Sequence, residues 1–236
     1  GTGNIPNSFV ASMTIVNPCF PAAFTTVGPI LINTPPTPNF SISNNPACVN
    51  TAVQLQNTSN LGIIVQASGC QSNVALYWEI SPSTGWNSSS LGNNGENPND
   101  IDFWSNGANE PSVNFSASGT YAITLYIGNG CDIKTITKTI CIEPPLAPQF
   151  TLNSISGCAP FVVNTSNNTV LTNQCGATSY QWNVTYQNGN CGNSSSFSYL
   201  NNTSSTSAEP SFSFNDPGIY SISLTTTNGC GSITTA

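Results

Sequence analysis

The residues able to do chemistry in this chain are few: nine cysteines, four tryptophans, and one dense acidic cluster at Glu96, Asp100 and Asp102. The chain has no histidine, which excludes Ser–His–Asp and Cys–His nucleophilic arrangements and imidazole-ligated metals. No glycine-rich lysine loop is present to cradle phosphate. No two cysteines form a Cys-x-x-Cys pair, so structural zinc is not expected, and the thiols read instead as disulfides of an oxidising compartment. Glu96, Asp100 and Asp102 could ligate Ca²⁺ through carboxylates and loop carbonyls, although their spacing is not that of an EF-hand; a solvated loop is the plainer reading. As a glycosidase pair they lack a scaffold that would fix their separation. Trp86 and Trp104 could stack on sugar rings, or fold inward and give their polar stretch a small core of its own. Trp78 and Trp182 read as core. The residues therefore imply no catalytic set, no cofactor and no enzyme.

The charge balance narrows the partners. Charged residues are 5% of the chain, against about 25% in ordinary domains. The net charge is -7, and Lys134 and Lys138 are the sole basic residues. Two lysines cannot build a surface for nucleic acid or a polybasic membrane patch. No apolar run approaches the ~20 residues of a spanning helix, so direct membrane insertion is not expected. The two lysines fall on one strand, where they would protect an exposed edge from pairing. With the cysteines, this composition points to an exported, uncharged, strand-rich protein. The chain opens in mid-strand texture and reads as an excerpt of something longer.

These side chains sit on a framework that the sequence uses twice. Glu110-Pro111-Ser112 leads to Gly119-Thr120-Tyr121-Ala122-Ile123-Thr124-Leu125 and Asn129-Gly130-Cys131. Glu209-Pro210-Ser211 leads to Gly218-Ile219-Tyr220-Ser221-Ile222-Ser223-Leu224 and Asn228-Gly229-Cys230, each position 99 residues on. Apolar residues at every second position predict strands with one buried face, and the Gly and Asn-Gly positions predict turns. Other matches extend the repeat: Phe40 with Phe150, Cys48 with Cys158, Cys70 with Cys175, and Trp78 with Trp182. Glu110 and Glu209, each before a proline, mark a turn or edge. The Pro-rich joints at Pro35-Pro36 and Pro144-Pro145 divide the chain into a stub of C-terminal strands at 1–36, a complete unit at 37–145, and a unit at 146–236 whose last strand is incomplete.

About seven short strands per ~100 residues, with a Trp in the third, predict an all-β fold of tandem immunoglobulin-like β-sandwiches with disulfides inside each domain. Asp216-x-Gly218-x-Tyr220 predicts a tyrosine corner. The Gly-x-Tyr-x-Ile-x-Leu strand, the Asn-Gly-Cys turn and the closing strand before Pro-Pro resemble polycystic kidney disease (PKD) domains. They resemble in particular the Cys-containing PKD-like repeats of very large Bacteroidota surface proteins, gliding-motility adhesins among them. The usual Trp-x-Phe-Gly-Asp-Gly of the third strand is replaced by Trp78-Glu79-Ile80-Ser81 and Trp182-Asn183-Val184-Thr185. The resemblance implies a cell-surface filament with adhesive and gliding roles, partnered by neighbouring repeats of the same chain and by surface polysaccharide. A carbohydrate-binding module, or an accessory domain of a secreted hydrolase, is the alternative.

Sandwich topology then orders the cysteines by the end at which each lies. Cys70 precedes the third strand and Cys131 is in the last hairpin turn, at one end. Cys48 follows the first strand and Cys141 is late in the last, at the other. The expected bridges are Cys70–Cys131, Cys48–Cys141 and Cys175–Cys230, with Cys158–Cys191 as a substitute clamp and Cys19 left over.

Overall fold

A computed structural model of the chain describes residues 8–64, 74–187 and 196–236. Contacts divide the chain into two compact units. The first gathers Gly1–Asn44, Ala52–Asn114 and Tyr121–Ile140; the second gathers Asn45–Thr51, Phe115–Thr120 and Cys141–Ala236. The chain begins with an antiparallel hairpin of β1 (Ser8–Asn17) and β2 (Phe20–Leu31), whose Val10, Met13, Ile15 and Phe20 are exposed.

Eight strands follow: β3 (Phe40–Ile42), β4 (Ala47–Cys48), β5 (Ala52–Asn57), β6 (Ala75–Ser81), β7 (Trp86–Asn87), β8 (Ser112–Phe115), β9 (Gly119–Asn129) and β10 (Asp132–Glu143). One sheet has the order β3-β5-β8-β7, and β10-β9-β6 lie side by side in the other. The strand order is that of an immunoglobulin-like sandwich: first, second, fifth and fourth strands in one sheet, third, sixth and seventh in the other. The alternation read from the sequence is what fills it. Tyr121, Ile123, Leu125 and Ile127 of β9 are buried, and so are Val53 and Leu55 of β5 and Val113 and Phe115 of β8. Phe40 meets the Trp78 indole edge-on, with ring centroids 5.1 Å apart. Lys138 on β10 reaches across to β3. Its ammonium donates to the Phe40 carbonyl oxygen and to Asn39 Oδ1, and it stands 5.0 Å from the Phe40 ring centre.

The polar stretch 81–109 is more than a surface loop. It supplies β7, a bridge between Asn93 and Ser105, and a 3₁₀ turn at Ile101–Phe103. Trp78 donates its amide to Leu91 and its indole N–H to Ala108. On the outer face of β6, Tyr77 stacks on Tyr126 at 4.4 Å and meets Trp104 edge-on at 4.8 Å. Ala75, Tyr77 and Trp104 form a small second core there, with Ile101, Tyr126 and Ile133 against it.

The second unit repeats the plan with β11 (Phe150–Leu152), β12 (Phe161–Asn167), β13 (Ser179–Gln187), β14 (Phe197–Leu200), β15 (Ser211–Phe214), β16 (Ile219–Asn228) and β17 (Gly231–Thr235). The sheets run β11-β12-β15-β14 and β13-β16-β17, again the immunoglobulin-like order. Val163, Trp182, Phe212, Phe214 and Leu224 are the shared core. Phe150 meets Trp182 edge-on at 4.9 Å, as Phe40 meets Trp78, and the Trp182 indole N–H donates to Ser207. The Tyr220 hydroxyl donates to the Asp216 carbonyl at 3.1 Å, the expected tyrosine corner. The Tyr121 hydroxyl donates to the Gly85 carbonyl at 3.3 Å. A groove of 1030 Å³ lined by Phe150, Phe161, Tyr220 and Ile222 lies beside β17. Tyr220 and Ile222 are half-buried, where Tyr121 and Ile123 are fully buried.

Candidate functional site

The Asn-x-Cys turn is built the same way three times. The side-chain oxygen of Asn17 accepts from the Cys19 amide at 2.9 Å, that of Asn129 from Cys131 at 3.0 Å, and that of Asn228 from Cys230 at 2.9 Å. These are Asx turns, in which a short side-chain carbonyl takes the place of a backbone one and fixes the residue two positions on. In both sandwiches the amide nitrogen is used as well. Asn129 Nδ2 donates to Thr34 and Leu61 carbonyls at 3.1 and 2.9 Å. Asn228 Nδ2 donates to the Pro144 carbonyl at 2.9 Å and to Gln174 at 2.7 Å.

Of the three turn cysteines, Cys230 is bonded. It pairs with Cys48, with 5.5 Å between Cα atoms, and Cys141 pairs with Cys175 at 5.9 Å; all four lie in the second unit. Cys19, Cys131 and Cys158 are exposed free thiols. The pairing therefore differs from the expected Cys48–Cys141 and Cys175–Cys230. The reason is the strand period. Ile140 and Ile142 of β10 are fully buried on the core face, so Cys141 between them points away from it. Cys48 sits opposite Glu143, where β4 pairs in parallel with the last two residues of β10. The expected partners of Cys131 and Cys158, namely Cys70 and Cys191, lie outside the described residues.

Glu143 organises the bonded turns. It is 1% exposed. Its carboxylate accepts from the Cys175 amide at 3.2 Å, and its carbonyl accepts from Val49 at 3.1 Å and lies 3.3 Å from Cys230 Sγ. A Cβ at Gly229 would stand 2.1 Å from Glu143 Oε1, so a larger residue there would require the carboxylate to move. A buried carboxylate in an otherwise uncharged setting is a group that sequence reading passed over; its position directly before Pro144-Pro145 was the available signal.

The other candidate residues fall apart. Trp104 is 7% exposed and donates its indole N–H to Asn97 at 3.1 Å, so it offers no face to a sugar; its inward packing follows from the two aromatic partners on β6 and β9. Trp86 is half-buried on the edge strand β7 and donates to the Pro82 carbonyl at 2.7 Å. Asp100 caps the 3₁₀ turn by accepting from the Asp102 amide, and Glu96 occupies a left-handed turn position with φ of 65°. Among the described residues, no three acidic, cysteine or histidine side chains gather where they could hold a metal. Glu209 accepts from the Asn167 amide at 3.0 Å and Glu110 faces Gln56, so both serve strand edges. Lys134 pairs with Asp132 at 2.7 Å on the surface.

No protein-family model matches the chain, and no curated protein sequence does. Solved structures are similar in strand arrangement. An I-band fragment of titin, I67–I69, is 9% identical with a TM-score of 0.44, covering 86% of this chain; the chain spans 64% of that fragment. The FdeC adhesin of Escherichia coli is 10% identical with a TM-score of 0.44, over 90% of this chain and 67% of FdeC. The D00–D0 domains of intimin are 11% identical with a TM-score of 0.40, over 84% of this chain and 96% of theirs. The immunoglobulin-like assignment itself rests on strand order and core: this chain is a tandem, all-β immunoglobulin-like repeat carrying cystines.

Proposed function

We propose that the chain is a non-enzymatic structural and adhesive segment of a long extracellular filament on a cell surface. In this reading the repeats at 37–145 and 146–236 act as spacers, and the residues at 1–36 are the last strands of a preceding repeat. The PKD-like strand and turn motifs support a Bacteroidota adhesin of the gliding-motility type, with neighbouring repeats as its immediate partners. Two cystines suit an oxidising compartment. A sparsely charged chain built of short strands suits a spacer more than a ligand-binding surface.

The observation that carries the reading is the Cys48–Cys230 bridge. It closes a loop across 182 residues. Tension applied to the two ends of the chain passes through the two sulfurs, and the polypeptide between them cannot be drawn out even if it unfolds. The Cys141–Cys175 bridge closes a further loop of 34 residues inside it. Any secreted domain draws stability from a disulfide, and a chain that must hold its length under pull gains from such a shunt as well. Single-molecule pulling tests this. The oxidised chain should yield only the residues outside the bridge, and reduction should release about 600–650 Å more, at about 3.3–3.6 Å for each of the 182 residues. Equal extension with and without reductant would end the mechanical reading.

A further inference from the structure

We propose that a groove on the outer face of the first sandwich binds an uncharged saccharide chain, with the Trp86 indole as its stacking platform. The groove has a volume of 670 Å³, within the range of about 300–1,000 Å³ usual for small-molecule sites. Its floor is sheet. Glu79 and Ser81 of β6 stand opposite Thr124 and Ala122 of β9. Their strand neighbours Trp78, Ile80, Ile123 and Leu125 are buried, so period two turns these four side chains away from the core. Ser81 and Ala122 are small, and the floor dips beside Glu79. The wall is the polar stretch, which brings Trp86, Asn93 and Ser105 to the groove. Leu91 and Gly107 fix that wall to β6, one accepting from the Trp78 amide and the other donating to the Leu76 carbonyl.

The lining has the two kinds of surface that a sugar ring has. A pyranose carries C–H bonds on its face and hydroxyls around its rim. Trp86 is half-buried, and its N–H is tied to the Pro82 carbonyl at 2.7 Å, which holds the ring in place beside the floor. An indole held in this way loses little freedom when a C–H face stacks on it. Glu79 is exposed, and its carboxylate accepts from the Tyr126 hydroxyl, which orients it. A carboxylate has lone pairs for two or more donors, and sugar hydroxyls give it charge-assisted hydrogen bonds. Asn93 and Ser105 add groups that both donate and accept.

The same features set other ligand classes aside. An anionic polysaccharide would bring like charge to Glu79. An ammonium ligand offers donors alone, whereas the amide and hydroxyls of the lining call for donors and acceptors together. An extended peptide adds to a sheet through a free strand edge, and Leu91 and Gly107 already occupy the edge of β6. The groove gives a site to the adhesive part of the function proposed above. It lies within the first unit and uses neither bridge, so its failure and that of the mechanical reading are separate results.

The test is NMR of the whole nitrogen-labelled chain, titrated with cellohexaose, mannohexaose and galactohexaose as neutral probes. Oligogalacturonate and tetramethylammonium are the charged ones. The indole N–H signals of the four tryptophans give a built-in control. At least one neutral probe should shift the Trp86 indole signal and the Glu79 and Asn93 amides, and leave the Trp182 indole signal in place. Trp86→Ala should weaken that binding about tenfold. Protection of the Asn93 and Ser105 amides should persist in the variant, showing that the wall is still folded. Glu79→Gln should also weaken binding, by less. A response to none of the neutral probes, a response to the charged probes alone, or unchanged affinity in Trp86→Ala would overturn the proposal.

Discussion

Asn228 donates its side-chain amide to the carbonyl oxygen of Pro144, 2.9 Å away and 84 residues earlier in the chain. Asn129 stands in the same relation to Thr34, at 3.1 Å. In each case an asparagine that closes a hairpin turn also holds the segment leading into its own sandwich. Asn129 is 3% exposed and spends its amide on four backbone groups, those of Cys131, Asp132, Thr34 and Leu61. Alanine at position 129 would leave these part-buried hydrogen bonds unmade, at a cost of about 1–3 kcal/mol. Asn228→Ala, at a half-buried position, should cost less. Urea unfolding of the two variants checks the order, and equal losses would show that burial does not set it.

The two bridges should differ in what they contribute. On the chain-entropy account, closing 182 residues stabilises by about 5 kcal/mol and closing 34 residues by about 4 kcal/mol. The smaller loop lies inside the larger, so the two terms do not simply add. Replacing Cys141 and Cys175 by serine together should therefore lower the unfolding midpoint less than replacing Cys48 and Cys230, and, because each bridge shortens the loop that the other closes, the quadruple variant should lose slightly more than the sum. Calorimetry of the three variants decides it.

Trp104 and Trp86 should separate cleanly by substitution. Trp104→Ala empties the small core over β6 and should cost about 3 kcal/mol. Trp86→Ala, at a half-buried edge, should cost about 1 kcal/mol or less. Hydrogen exchange at the amides of Asn93 and Ser105, which bond each other across the polar stretch, gives the direct readout. They should lose protection in the first variant and keep it in the second.

Stability should fall in alkaline solution for an identifiable reason. Burial pushes the Tyr77 phenol up to about 12, with the Glu79 carboxylate and Tyr126 adding to the effect. The group is neutral when protonated, and its folded value lies above its unfolded value near 10. The unfolded chain therefore releases this proton first. Its contribution is complete below pH 10 and is lost as the pH rises through about 12. Tyr77→Phe should flatten the decline of unfolding free energy across that window. An unchanged slope would move the cause to another phenol.

Period-two alternation and the repeat spacing were enough to locate β9 and β16, their Gly and Asn-Gly turns, and the core roles of Trp78 and Trp182. These depend on which face of a strand is buried, and a strand's pattern reports that locally. The tyrosine corner at Tyr220 was legible for the same reason, because its partner Asp216 is four residues away. The alternation also held the clue that Cys141 faces away from Ile140 and Ile142, but it could not say what waits on the other side. Only the tertiary structure brought Cys175 beside Cys141 and Cys230 beside Cys48, turned Trp104 inward onto Tyr77, and buried Glu143 under the Cys230 turn. A partner 182 residues distant is chosen by how whole sheets and loops meet in space, and no spacing along the chain carries that information.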